Sequence, residues 1–349
     1  MEIISLLRFL ILLSVLIFVH EGGHFLFAKK FGVKVEEFGF GLPPRLWGKK
    51  IKDTIYSLNL LPLGGFVRLK GEEQAEALGL GQVGSFAIQS KWKRAVIIAA
   101  GAFGNFLLAW LLFSALLVIG NPVPAGKVAI GAVAQNSPAA QIGLDPGDFI
   151  LSFNGEKVET AGELVGLTNQ NIGKLVVFEI EEDGQVRLAA AIPRENPPEG
   201  EGRLGIQITT AIGEEKFPLW QVPFIGLQRT VEALGAMVVG LGQAIADLFA
   251  GKEVAVGGPV AIYALTESVA NGGFKICLQF VALLSLNLVV VNLLPIPALD
   301  GGRILFIGIE AIRRKKLSPR TEHLVNSIGF AFLLALIVLI SIRDIGRFF

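Results

Sequence analysis

The sequence predicts a polytopic α-helical membrane protein with about four transmembrane helices, a small β-sheet loop at the membrane surface and one strand-rich domain outside the bilayer. Composition is the first reason: of 349 residues, 52% are hydrophobic and 17% charged, against about 25% charged in an ordinary soluble domain. The mean hydropathy of +0.61 agrees. Second, Leu6 to Ala28, Ala95 to Ile119, Ile276 to Leu294 and Leu324 to Ile342 are apolar, each over about the 20 residues that carry a helix across roughly 30 Å of hydrocarbon. Third, the connections after the first and third of these runs are rich in lysine and arginine, among them Lys29, Lys30, Lys49, Lys50, Lys91 and Lys93 in one and Arg313, Arg314, Lys315 and Lys316 in the other. Four crossings put both connections on one side, and basic residues flanking spans favour the cytoplasm. The formal net charge of +1 makes no case for a nucleic-acid partner. The single cysteine, Cys277, excludes a disulfide framework within the chain.

Taken in order, residues 1–28 are the first transmembrane helix. They lack a small-residue cleavage site after the apolar run and read as retained. Residues 29–94 are a cytoplasmic-side loop in which Val33 to Phe40, Thr54 to Leu60 and Phe66 to Lys70 read as short strands, separated by Leu42-Pro43-Pro44 and Leu63-Gly64-Gly65 turns. This sheet either caps the membrane core or offers an edge to which an extended chain adds as a strand, and both readings stay open. Residues 95–120 are the second transmembrane helix. Residues 121–212 contain strand-like runs and Gly-rich turns: Ser137 and Pro138 start a helix, and Asn154-Gly155 makes a hairpin turn.

Residues 213–275 form an amphipathic, interfacial helical region. Leu227, Val231, Leu234, Val238, Leu241, Ile245 and Leu248 recur at helical spacing, interrupted by Arg229, Glu232 and Asp247. Acidic groups are costly in lipid, so this helix is expected along the interface or against the membrane core rather than as a fifth crossing. Residues 276–312 are the third transmembrane segment, and 313–349 are a basic loop and the fourth helix.

The chemistry concentrates in His20-Glu21-Gly22-Gly23-His24. Histidines four apart share one face of a helix and can reach one Zn²⁺, while the glutamate between them can take a proton from an activated water. The pattern also arises by chance on helix surfaces. Here it holds two of the chain's three histidines and sits in an apolar run, where polar groups need partners and mark functional sites. Catalytic zinc sites use three protein ligands, and the best third candidate is Asp300. It follows Asn292-Leu293-Leu294-Pro295-Ile296-Pro297-Ala298-Leu299, where two prolines break the third apolar run; such backbone is tolerated at membrane depth where it is buried or lines a cavity. The competing reading pairs Asp300 with Arg303. Gly22, Gly23, Gly301 and Gly302 either leave room near the metal or serve helix packing. His323 reads as a surface residue.

With these motifs the chain resembles the site-2 proteases, specifically the bacterial regulator-of-sigma-E protease type with a single PDZ domain. HEGGH matches the family's HExxH, and Asn292 to Gly301 matches its NxxPxPxLDG stretch at every specified position. Gly39-Phe40-Gly41, Gly101 to Phe106 and Gly257 to Val260 are weaker matches, and the second departs from the family form, which has proline after the first glycine. Residues 121–212 resemble a PDZ domain, with Leu204, Gly205 and Ile206 in the position of its peptide-binding loop.

The resemblance implies a zinc metalloendopeptidase of the bacterial inner membrane, with His20, His24 and Asp300 as Zn²⁺ ligands and Glu21 as general base. Asn292 would hold substrate or stabilise the intermediate, with a hydrogen bond that ties the broken backbone as the other reading. The implied substrates are single-span membrane proteins such as anti-sigma factors, or remnant signal peptides, cut in regulated intramembrane proteolysis. The domain at 121–212 would be extracytoplasmic and take peptide C-termini, with the active site toward the cytoplasm. A non-catalytic PDZ membrane adaptor and a metal transporter are the rival readings; neither has an obvious use for Glu21.

Overall fold

The computed structural model describes residues 2–71, 83–198, 200–252, 257–315 and 318–348; Lys316 of the second basic connection lies outside them. The elements run α1 (Glu2–Lys30), β1 (Val35–Ile51), β2 (Thr54–Leu69), α2 (Lys91–Ile119), β3 (Asn121–Val133), α3 (Pro138–Gln141), β4 (Phe149–Phe153), β5 (Glu156–Lys157) and α4 (Ala161–Gln170). They continue with β6 (Val176–Glu182), β7 (Gln185–Ala191), β8 (Ile206–Glu215), α5 (Val222–Phe249), α6 (Pro259–Asn271), α7 (Phe274–Leu293), α8 (Asp300–Arg313) and α9 (Pro319–Phe348). Two units result: Met1–Val118 with Pro218–Phe349, and Ile119–Phe217.

Among the described residues of the first unit, five helices are long and apolar enough to cross a membrane: Leu6–Lys30, Lys91–Ile119, Val222–Phe249, Phe274–Leu293 and Arg320–Gly346. That is one more than the four apolar runs of the sequence; the additional one is α5, whose helical character its 3.6-residue spacing announced. Helices α1 and α2 run antiparallel at close quarters. A methyl added at Gly23 would meet the Ala100 carbonyl, and one at Gly104 would meet that of Val19, so glycine is what lets the backbones approach. Helix α7 lies antiparallel to α2, with the Ser285 hydroxyl donating to Asn105 O at 2.8 Å and Ala282 and Leu286 buried against Ala109 and Phe113. Helix α9 returns the other way: Gly329 near its start abuts Pro297, and Asp344 near its end accepts from the backbone N–H groups of Gly258 (2.8 Å) and Ala261 (3.2 Å) at the start of α6.

The sheet of this unit differs from the three short strands expected. β1 and β2 are 17 and 16 residues long; they continue through Leu42-Pro43-Pro44 and Leu63-Gly64-Gly65, where the register shifts instead of ending. The long strands fold back, so Phe40 is partnered by both Gly65 and Leu58, and Trp47 by Leu58 in turn. Proline and glycine bend a strand here without stopping its pairing.

The second unit is a sheet in the order β7-β6-β4-β3-β8, with β5 against β4. Val176, Phe178 and Ile180 alternate inward along β6, as the two-residue period of a strand requires, and meet Val128, Ile130, Ile150 and Phe153 in one apolar core. Helix α3 is capped by Ser137, whose hydroxyl accepts from Ala140 N, and α4 by a reciprocal Thr160–Glu163 box. The turn after β4 places Asn154 and Gly155 at φ 52° and 80°, the two positive values that a tight hairpin turn needs. Between α4 and β8 lies a groove of about 310 Å³, walled by Leu164, Val165, Thr168, Leu204, Ile206 and Ile208.

Candidate metal centre

His20 and His24 sit one helical turn apart on α1, 7% and 9% exposed, with their Nε2 atoms 3.2 Å apart. Helix α7 ends at Leu293 because Pro295 and Pro297 follow, and the chain turns into α8 with Asp300 as its first residue. Asp300 Oδ2 then lies 3.0 Å from His20 Nε2 and 3.3 Å from His24 Nε2. Among the described residues, these three side chains are the group whose donor atoms converge closely enough for one ion. Asp300 thus turns to both imidazoles.

Hydrogen bonding defines what the donors offer. His24 Nδ1 is 2.9 Å from Ile97 O on α2. A carbonyl only accepts, so Nδ1 carries the proton and the neutral ring keeps a lone pair on Nε2. His20 Nε2, His24 Nε2 and Asp300 Oδ2 face a common point, and Asp300 Oδ2 is buried with no conventional hydrogen-bond donor. Tetrahedral zinc with ligands at about 2.0–2.1 Å separates them by about 3.3 Å, close to the three observed spacings. The residues present fit a zinc ion.

Glu21 follows His20 and accepts a 3.1 Å hydrogen bond from the backbone N–H of Val67 on β2. It faces a cleft of about 230 Å³ lined by His20, Glu21, His24, Val67, Asp300 and Arg303, with apolar walls from neighbouring residues. A methyl at Gly101 on α2 would overlap Nε2 of both histidines. Gly101 is thus what leaves room at the donors, whereas Gly23, Gly301 and Gly302 serve close packing against backbone carbonyls, and Gly22 has open space. Asn292 lies half-buried on the last turn of α7 and is not among the residues lining the cleft. Leu204 and Ile206 wall the separate groove of the second unit, and Gly205 at φ +71° makes the turn between them. His323 is exposed.

Three contributors escaped the sequence reading: the Ile97 carbonyl, the Val67 N–H and Gly101. The first two are backbone groups, which no residue type announces. Gly101 stood in one of the weaker motif matches, and its glycine was the signal.

Comparison with known proteins identifies the family. Residues 8–336 match peptidase family M50. The zinc metalloprotease RasP of Geobacillus kaustophilus is 31% identical over 99% of this chain and 98% of its own, and the regulator of sigma-W protease RasP of Bacillus subtilis is 31% identical over 99% of each. A PDZ domain of an SdrC-like protein from Listeria monocytogenes aligns with 25% of this chain and 90% of its own at 21% identity and a TM-score of 0.23. By the extent of the family match and of the two full-length relatives, the chain belongs to peptidase family M50, the site-2 proteases.

Proposed function

We propose that the chain is an intramembrane zinc metalloendopeptidase in which His20, His24 and Asp300 hold the metal and Glu21 is the general base. The observation that carries this reading is the convergence of Nε2, Nε2 and Oδ2 within 3.0–3.3 Å of one another, with a carboxylate beside them in the same cleft. When bound, Zn²⁺ supplies Lewis acidity that polarises the scissile carbonyl and acidifies water. Glu21 takes the proton of the attacking water and delivers it to the leaving amine. The Val67 N–H keeps one Glu21 oxygen turned toward β2, which fixes the carboxylate's aim. Family membership sets aside the adaptor and transporter alternatives.

The same N–H points away from Phe38, the partner of Val67 across the sheet, so the Gly65–Leu69 stretch turns its other edge to the cleft. An extended substrate added at that edge would bring its peptide bonds past Glu21, which favours the edge reading of the sheet over a mere cap. The substrates are single-span membrane proteins, anti-sigma factors or remnant signal peptides, in keeping with the sigma-W role named for the Bacillus subtilis relative. The groove of the second unit takes peptide C-termini.

For topology, α1, α2, α7 and α9 supply four alternating crossings, with the basic loops and active site toward the cytoplasm of the inner membrane and the 121–212 domain outside. Helix α5 then starts beside α2, where Trp110 Nε1 donates to Pro223 O at 2.9 Å. Arg229, Glu232 and Asp247 interrupt its apolar character, and acidic groups are costly in lipid, which favours a place along the interface over a fifth crossing.

The test is a metal analysis of the purified protein with a cleavage assay on reconstituted single-span proteins. Zinc near one per chain, and cleavage abolished in Glu21→Gln without loss of zinc, are expected. Cleavage at the wild-type rate by Glu21→Gln would refute the assigned base.

A further inference from the structure

The three donors and Glu21 leave a second set of buried charges without a role. Arg94 and Glu310 are 5% and 2% exposed, and Arg94 Nη1 donates to Glu310 Oε2 at 2.9 Å. The pair joins the first turn of α2 to the far half of α8, across 216 positions of chain. Lys91 Nζ adds a 2.8 Å bond to Glu310 O, and the guanidinium lies 5.5 Å from the centre of the Phe86 ring. Neither Arg94 nor Glu310 lines the cleft.

Stability is a poor account of such a pair. Two charges taken out of water are repaid by their attraction only when geometry is excellent, and an apolar pair of similar volume often does as well. What charges add is direction. One turn beyond Arg94 on the same helix, Ile97 offers its carbonyl to His24 Nδ1. The first two turns of α2 therefore grip α1 through Ile97 and α8 through Arg94, and the two gripped helices carry the donors that meet at the metal. Gly101 in the next turn leaves no slack, since even a methyl there would overlap both imidazoles.

We propose that Arg94 and Glu310 are positioning residues: their ion pair sets α8 against α2 and so holds Asp300 at ligand distance from His20 and His24. The proposal rests on the zinc reading of those three residues. It assigns α2, which contributes no ligand, the task of holding the two helices that do.

The experiment compares the full-length protein in lipid nanodiscs as wild type, Glu310→Gln, the charge exchange Arg94→Glu with Glu310→Arg, the apolar pair Arg94→Met with Glu310→Leu, and Arg94→Lys. Zn²⁺ affinity is measured by chelator competition, site geometry by the visible absorption of the Co²⁺-loaded protein, and stability by the unfolding midpoint of the metal-free form. Glu310→Gln, which leaves the Arg94 charge uncompensated, lowers both the midpoint and, by about 10- to 100-fold, the Zn²⁺ affinity. The apolar pair recovers the midpoint but not the affinity or the Co²⁺ spectrum, whereas the charge exchange recovers most of both. Arg94→Lys keeps the charge but not the planar fork; it unfolds close to the wild-type midpoint with several-fold weaker Zn²⁺ binding, and it decides the matter if the double variants do not fold. Affinity and spectrum that simply follow the midpoint across the series, or wild-type Zn²⁺ binding in the apolar pair or in Arg94→Lys, overturn the proposal. A wild-type protein that binds neither ion would instead overturn the zinc reading, and the proposal with it.

Discussion

Both units have buried apolar cores, but they differ in how much apolar surface they turn outward and in the polar groups they enclose. The sheet unit packs Val128, Ile150, Phe153, Phe178 and Ile180 into one apolar core, each 1% exposed or less, and its groove lies at the surface. The helical unit turns much of its apolar surface outward, Leu111 at 59% and Leu339 at 67% exposed, and buries His20, His24, Arg94, Asn105 and Glu310. The first arrangement is that of a domain stabilised in water, where removing apolar area from solvent drives folding. In the second, lipid removes that drive between helices, so small residues, close contact and polar pairing hold the interior together. A substitution at the centre should therefore cost stability in one unit and chemistry in the other.

The largest expected effect tests this at the metal centre. Asp300→Ala removes one of the three proposed ligands; Zn²⁺ affinity should fall by more than about 100-fold and cleavage of a reconstituted single-span substrate should become undetectable, while circular dichroism stays that of the wild type. Chelator titration and the cleavage assay read this directly. A variant that keeps its zinc would remove Asp300 from the ligand set. Next comes Glu21→Gln, which should retain zinc and bound substrate yet lose about 10²- to 10⁴-fold in turnover, the usual contribution of a positioned acid–base group. Zinc lost along with turnover would show that Glu21 holds the site together rather than moving a proton.

Phe178→Ala probes the other unit. Phe178 is 1% exposed and its ring meets that of Phe153 edge-on at 5.3 Å, so truncation should destabilise the sheet unit by about 3–5 kcal/mol, seen as an earlier unfolding transition by calorimetry. Zinc content should not change. Loss of zinc would break the comparison, because it would tie the apolar core of one unit to the polar centre of the other.

What was legible in the sequence follows the same division. HEGGH and the proline-broken segment before Asp300 announced the site, because two histidines and a carboxylate are costly in apolar runs unless they share a partner. Asn154-Gly155 and Ser137-Pro138 announced their turn and cap because those residue types suit those local conformations. The pairing of β1 and β2 was not legible: the Leu-Pro-Pro and Leu-Gly-Gly stretches look like ends, and only Phe40 meeting both Gly65 and Leu58 reveals that they are bends. Likewise the Arg94–Glu310 pair and the Ile97 carbonyl come together only through tertiary packing.

The smallest effect is expected at the groove of the sheet unit. Val165 on α4 is 49% exposed and walls that groove, together with the aliphatic Leu164, Leu204, Ile206 and Ile208 and a polar rim that includes Thr168 and Arg203. A peptide ending in an apolar residue would cover the exposed half of Val165. Val165→Ser removes part of that apolar contact, worth about 1 kcal/mol, or roughly fivefold in Kd. Stability should change by no more than about 0.5 kcal/mol, because the position carries no core packing. Fluorescence anisotropy with a labelled peptide and the full-length protein separates the two quantities. Equal affinity for wild type and variant would mean that bound chains do not touch this wall, and a drop in stability instead of affinity would mean that even the surface of this unit is committed to folding.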